Sequence, residues 1–210
     1  MKFPLRVRCD QCGNEESIFL ELNETSFETK CKKCGEVVPH VFGSNVTVGY
    51  RILERSYYER AERTDYPLSI VFSATAFECE LTRLHFKWSE IDAAIKGTEV
   101  SDEQLEELLR KHRTIDVKIE EVSKLMDPRG FKQFAIDSLE LSDIVKYGFP
   151  SLRLDHLTKD FQKKLFWPRN RVLHLADTSF SKDDAIRCYN IATLGLMILD
   201  EMDEHRRRVY

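Results

Sequence analysis

The sequence predicts a mostly α-helical chain that opens with a small β unit and continues as an all-α bundle. Three observations predict this. Two Cys-x-x-Cys pairs stand 18 residues apart near the N-terminus. The apolar residues change period from two to about 3.5 near Pro67. After Ile52 no convincing strand pattern follows.

The 210 residues are 42% hydrophobic and 32% charged, enough apolar surface for a real core. The formal net charge is -4, so any attraction to nucleic acid has to be local. The longest strongly apolar stretch, Ile191 to Leu199, falls short of the roughly 18 residues a membrane helix needs. The opening MKFPLRVRCD has no apolar h-region, so no signal peptide and no membrane attachment are predicted. Cys79 and Cys188 stand alone in apolar surroundings and read as small buried hydrophobes. A reducing cytoplasm is the expected compartment.

The β unit is built on its cysteines. Cys9-Asp-Gln-Cys12 and Cys31-Lys-Lys-Cys34 have the spacing of a four-thiolate tetrahedral zinc site. Each Cys-x-x-Cys turn lets two sulfurs reach one metal, and Gly13 and Gly35 follow where φ > 0 is often wanted. A redox pair is disfavoured, because two matched pairs argue for one shared ion. Four thiolates leave no open coordination position, so the zinc is structural. Ile18, Leu20 and Leu22 alternate with polar residues as a strand, and Phe27 and Thr29 begin a return strand, predicting two knuckles joined by a hairpin. Val46, Val48, Tyr50 and Ile52 alternate as one more strand. The zinc ribbon is therefore expected over residues 1–54, a charged linker over 55–66, and the bundle over 67–210.

In the bundle, Ile70, Ala74, Phe77, Leu81, Leu84, Trp88, Ile91 and Ile95 recur at steps of four and three, predicting a long helix ended by Gly97. Ser101 and Gln104 form a capping box for a second helix, whose stripe runs Leu105, Leu108, His112, Ile115, Ile119, Val122, Met126. That stripe stops at Asp127-Pro128-Arg129-Gly130. Further helices are predicted over 131–146, over about 155–176 with an interruption at Pro168, and from Ser181 to Glu204. The last is apolar nearly all round, as a helix is when buried in a bundle centre or against a second subunit.

One segment carries chemistry: Phe166-Trp-Pro-Arg169-Asn170-Arg-Val-Leu-His174. A histidine titrates near neutrality, which suits proton transfer. A guanidinium matches phosphate oxygens with planar donors. Between Lys159 and His174 stand five cations, Lys159, Lys163, Lys164, Arg169 and Arg171, against the single anion Asp160. Lys163, Lys164 and Arg171 are thus candidate RNA contacts. On a regular helix Arg169 and His174 lie about 140° apart, so they do not naturally share a phosphate. Asn170 and His174, at i and i+4, share a face, which predicts that Asn170 orients the imidazole.

The segment resembles the Arg-(x4–6)-His motif of the HEPN superfamily, seen there as Arg-Asn-x-x-x-His. The setting is similar too, a small α bundle with the motif shortly before a long apolar final helix. The resemblance covers residues 66–205, and its specific part is the six-residue motif. It implies a metal-independent endoribonuclease that works as a homodimer with two motifs face to face. His174 would assist attack of the ribose 2′-OH on the adjacent phosphate, and Arg169 would steady charge on the phosphoryl oxygens. Some active relatives add an acidic residue on an early helix, for which Glu78 is the candidate. A regulatory protein partner is a further expectation. Leu175 and Ala176 after His174 depart from the nuclease toxins, and many HEPN domains do not catalyse. The alternative is therefore a non-catalytic module binding a nucleotide, nucleic acid or protein, with the ribbon as adaptor.

Overall fold

The computed structural model describes residues 2–8, 12, 14–21, 26–35, 37–41, 47–101, 103–104, 107, 114–139 and 157–209. The described part is mostly helical. It divides into two compact units, Met1–Thr47 and Val48–Tyr210.

The first unit holds four short strands, β1 (Lys2–Arg8), β2 (Glu15–Glu21), β3 (Ser26–Lys30) and β4 (Val37–Val41). β1 pairs antiparallel with β2, and β3 with β4. The expected pairing of β2 with β3 is therefore replaced by two separate hairpins. Arg8 faces Glu15 across the first hairpin, and Lys30 faces Val37 across the second, on either side of the Cys31–Cys34 turn.

The second unit begins earlier than the alternation predicts. Val48–Ala61 is a helix, α1, so the strand expected through Ile52 and the linker expected over 55–66 are both largely helical. The cause lies in its inward face. Gly49, Leu53, Ser56 and Glu59 are buried at steps of four, three and three. Only Leu53 among them is a large apolar residue, so the helix has no hydrophobic stripe to read. This small and polar face lies on α2 (Tyr66–Ile95). A Cβ on Gly49 would come 3.0 Å from the Ala76 carbonyl oxygen. Ser56 Oγ donates to the Ser69 carbonyl at 2.8 Å and lies 2.7 Å from Ser73 Oγ. Hydroxyls and a glycine thus allow two helices to approach closely while staying hydrogen-bonded.

α2 matches the period that predicts it. Asp65 Oδ1 accepts from the Leu68 N–H at 3.0 Å, Pro67 stands in the first turn, and Gly97 follows with φ +68°. The Ser101–Gln104 capping box is reciprocal, at 2.9 and 3.3 Å. The stripe drawn from there to Met126 is not one helix. Thr114 is extended and precedes a new helix, α3 (Ile115–Met126), without a side-chain capping bond, while Leu105, Leu108 and His112 lie outside the described residues. α4 (Gly130–Ser138) ends at an extended Leu139, within the helix expected over 131–146. Residues 140–156 lie outside the described residues.

Pro168 does not interrupt the next helix. α5 (Leu157–Phe161) passes through a π turn (Gln162–Phe166) into α6 (Trp167–Leu175). Proline lacks the N–H that would bond the carbonyl four residues back, that of Lys164. The π turn shifts the ladder by one residue. The Cys188 thiol then donates to the Lys164 carbonyl at 3.1 Å. α6 ends on Ala176 in the left-handed region, φ +51°.

α7 (Lys182–Val209) runs through the centre of the unit. Ser181 and Asp184 cap it reciprocally, with Ser181 Oγ donating to Asp184 at 2.7 Å. Ile191, Ala192, Leu194, Leu196, Ile198 and Leu199 are all buried within this one chain. The apolar circumference of the last helix is thereby used inside the unit. Gly195 marks its tightest contact: a Cβ there would lie 2.5 Å from a Phe161 ring carbon and 2.6 Å from one of Phe77. Phe77 and Phe161 pack with ring centroids 4.7 Å apart, and Phe131 meets Phe161 edge-on at 5.5 Å. Lower on the helix, buried Asp203 accepts from Lys87 Nζ at 2.6 Å and Trp88 Nε1 at 2.7 Å. Arg206, Arg207 and Arg208 pair with Asp92, Asp203 and Glu204, so the arginine tail is tied to carboxylates. No described helix is long and apolar enough to cross a membrane.

Candidate functional site

In the first unit the hairpin ends bring Cys12, Cys31 and Cys34 together, their sulfurs all within 4.8 Å of one another. Cys12 and Cys31 Sγ stand 3.6 Å apart, and Asn14 Nδ2 donates to Cys31 Sγ at 3.8 Å. Gly35, at φ +76°, turns its N–H onto the Cys31 carbonyl at 2.8 Å, which closes the second knuckle. The open side of Gly35 would hold a Cβ without a clash, so the glycine serves the backbone angle. The Cys34 backbone N–H, more than any other group, holds the Cys31 thiol down to about 7. Buried Cys31, half-buried Cys12 and exposed Cys34 form a donor set of soft sulfurs with one thiol biased toward thiolate. Such a set is close enough and of the right chemistry to hold a metal ion. Cys9 lies outside the described residues.

In the second unit the motif lies on α6 against α2. Arg169 Nη2 reaches Glu78 Oε2 at 3.3 Å, and Nη1 donates to Asn170 Oδ1 at 3.0 Å. The Arg169 side chain is 26% exposed and that of Glu78 37%. The Arg169 Nε atom is buried with no hydrogen-bond partner among the described residues. The structure therefore brings together Arg169 and the acidic residue of the early helix.

His174 is not part of that contact. It is exposed in the last turn of α6, on the side away from Arg169 that helical geometry requires. The expected hydrogen bond from Asn170 to His174 does not form. Its neighbour Arg169 takes the Asn170 carbonyl oxygen instead. Trp167, Asn170, Arg171 and His174 follow the i, i+3, i+4, i+7 pattern of one face. On that face Trp167 is 56% exposed, and the flanking Leu173 and Leu175 are 50% and 72% exposed.

The basic patch is partly neutralised. Lys164 pairs with Asp160 at 3.0 Å. Arg171 pairs with Asp177, and its guanidinium lies 4.8 Å from the Trp167 ring centre and 5.6 Å from that of Phe180. Asp177 is itself fixed by the Ser179 hydroxyl at 2.6 Å, which holds its carboxyl below the usual range. Lys159 and Lys163 are exposed, and neither pairs with a carboxylate among the described residues.

Sequence reasoning missed Lys118. Its side chain is buried on α3 and donates to Thr82 Oγ1, one turn from Glu78, at 2.6 Å. A signal was present: Ile115, Lys118 and Val122 fall on one helical face, so this lysine sits within an apolar stripe.

The chain matches no protein-family model, no curated protein and no solved structure.

Proposed function

We propose that the chain is a HEPN-type endoribonuclease that works as a homodimer, with a zinc ribbon that aids binding of RNA or of a protein partner. The observation that carries it is the exposed face of α6. There His174 shares a helical face with a solvent-facing Trp167 and a stacked Arg171, two exposed leucines flank that face, and Arg169 is held from behind by Glu78. An exposed imidazole is available for proton transfer, and an aromatic face beside it suits an unstacked base. Leu173 and Leu175 give a second copy an apolar surface to cover. In the ribbon, Cys9 would join Cys12, Cys31 and Cys34 as the fourth thiolate on zinc.

The reaction needs no ion of its own. The ribose 2′-oxygen attacks phosphorus, its proton passing to an imidazole. The P–O5′ bond breaks, and the 5′-oxygen leaves as a hydroxyl on taking a proton. Arg169 donates to the phosphoryl oxygens as their charge rises. Because Arg169 and His174 face different ways within one chain, the partner copy's motif completes each site.

The test is cleavage of single-stranded RNA without added divalent metal. Wild type is expected to leave a cyclic phosphate and a 5′-hydroxyl, and His174→Ala to lower the rate about 100-fold or more. Equal rates in the two proteins would end the catalytic reading. One observation favours the non-catalytic alternative: three of the five patch cations are already paired with carboxylates. In that case RNA or nucleotide binding would persist in His174→Ala with no cleavage by either protein.

A further inference from the structure

Glu78 presents a difficulty for any anion at Arg169. In the structure its carboxylate already occupies Arg169 Nη2, at 3.3 Å. A phosphate approaching the same guanidinium meets a second negative group at contact distance, and the two repel. The site works only if something else holds the carboxylate's charge.

α3 supplies that group. Lys118 is 8% exposed, an unusual place for an ammonium. Of its three N–H donors, only one finds an acceptor among the described residues, Thr82 Oγ1 at 2.6 Å. The Thr82 hydroxyl in turn donates to the Glu78 backbone carbonyl at 2.9 Å, so Lys118 is anchored one turn along α2 from Glu78. Burial pushes the ammonium below its ordinary range, and the charge acting most strongly against that push is Glu78, followed by Cys79.

We propose that Lys118 is a positioning residue of the Arg169 site: held one turn along α2 from Glu78, it offsets that carboxylate's charge when Arg169 turns to a phosphodiester. This rests on the nuclease reading for its ligand and not for its electrostatics. Glu78 then faces two cations from two helices, Arg169 on α6 by direct contact and Lys118 on α3 at longer range. At rest it keeps the guanidinium aligned. With RNA bound, Lys118 offsets it.

The experiment uses the full chain in two arms. In the first, the Lys118 ammonium is titrated by NMR in wild type, Glu78→Gln and Arg169→Gln. Glu78→Gln is expected to lower its midpoint by about half a unit or more, and Arg169→Gln to raise it. No movement in either variant overturns the proposal. In the second, affinity is measured for a short RNA made uncleavable by a 2′-O-methyl at the scissile ribose. Lys118→Met is expected to weaken binding about fivefold or more, and Lys118→Arg to restore most of it. Lys118→Met binding like wild type, while His174→Ala abolishes cleavage, would overturn the role of Lys118 and leave the nuclease standing. Wild type binding no RNA at all would overturn both.

Discussion

The cysteine cluster and the Arg169 corner gather their reactive groups in opposite ways. Cys31 and Cys34 sit within one tight turn, closed by the Gly35 N–H, so their spacing along the chain nearly fixes their spacing in space. Glu78, Lys118 and Arg169 stand on three helices of one unit, whose core includes the aromatic layer of Phe77, Phe131 and Phe161, with Phe77 and Phe161 packed on Gly195. A site of the first kind depends on its ligands. A site of the second kind depends on a core that holds no functional residue. Two substitutions separate these dependences.

The larger effect is expected at the cysteines. On the proposal that the cluster holds zinc, Cys31→Ser should remove that zinc, read by elemental analysis, and unfold the hairpins, because binding energy of a small metal unit is on the order of 10 kcal/mol. The helical unit should melt as before, since it carries its own core. Cys9→Ser should behave alike if Cys9 is the fourth ligand. A fall in the helical melting temperature with metal loss would break the contrast. Next comes Gly195→Ala. Alanine gains about 1 kcal/mol in helix propensity, but its Cβ would fall 2.5 Å from Phe161 and 2.6 Å from Phe77. Both rings are buried and stacked on each other, so neither can yield without moving its neighbour. A net loss of about 2 kcal/mol is expected in urea unfolding, with zinc content unchanged. Unchanged stability would mean that the rings repack freely and that the Arg169 corner is not set by them.

The same difference decides what could be read in advance. The cluster of Cys12, Cys31 and Cys34 is legible because a Cys-x-x-Cys turn ties sulfur spacing in space to spacing along the chain. The long apolar helices are legible because their period is their burial: Ile70, Ala74, Phe77 and Leu81 point inward as their steps require. α1 is not legible as a helix, its start alternating like a strand through Ile52 and the rest resembling a charged linker, because its inward face is Gly49, Ser56 and Glu59, residues that bury by closeness and hydrogen bonding. Asn170 was assigned to His174 on helical geometry, which is silent on the competing neighbour Arg169. The pairing of Arg169 with Glu78 spans 91 residues, and local pattern does not encode it. Lys118 was visible as a charge on an apolar face, but its acceptor Thr82 belongs to another helix.

Cys188 carries the smallest of these effects and the sharpest test of a long-range tie. As a small hydrophobe it would matter only for its volume. The structure adds that its thiol donates to the Lys164 carbonyl, the group that Pro168 cannot serve. Burial pushes the thiol up to about 12, so it remains an S–H donor at neutral pH. If the hydrogen bond matters, Cys188→Ser should be more stable than Cys188→Val by about 1 kcal/mol in urea unfolding, although valine fills the space better. If only packing matters, the order reverses. Because the carbonyl lies in the π turn that leads into α6, loss of the donor should also loosen the start of the motif helix. Amide exchange at Trp167 and Arg169 is expected to quicken in Cys188→Val more than in Cys188→Ser. Equal exchange in both would confine the role of Cys188 to α7.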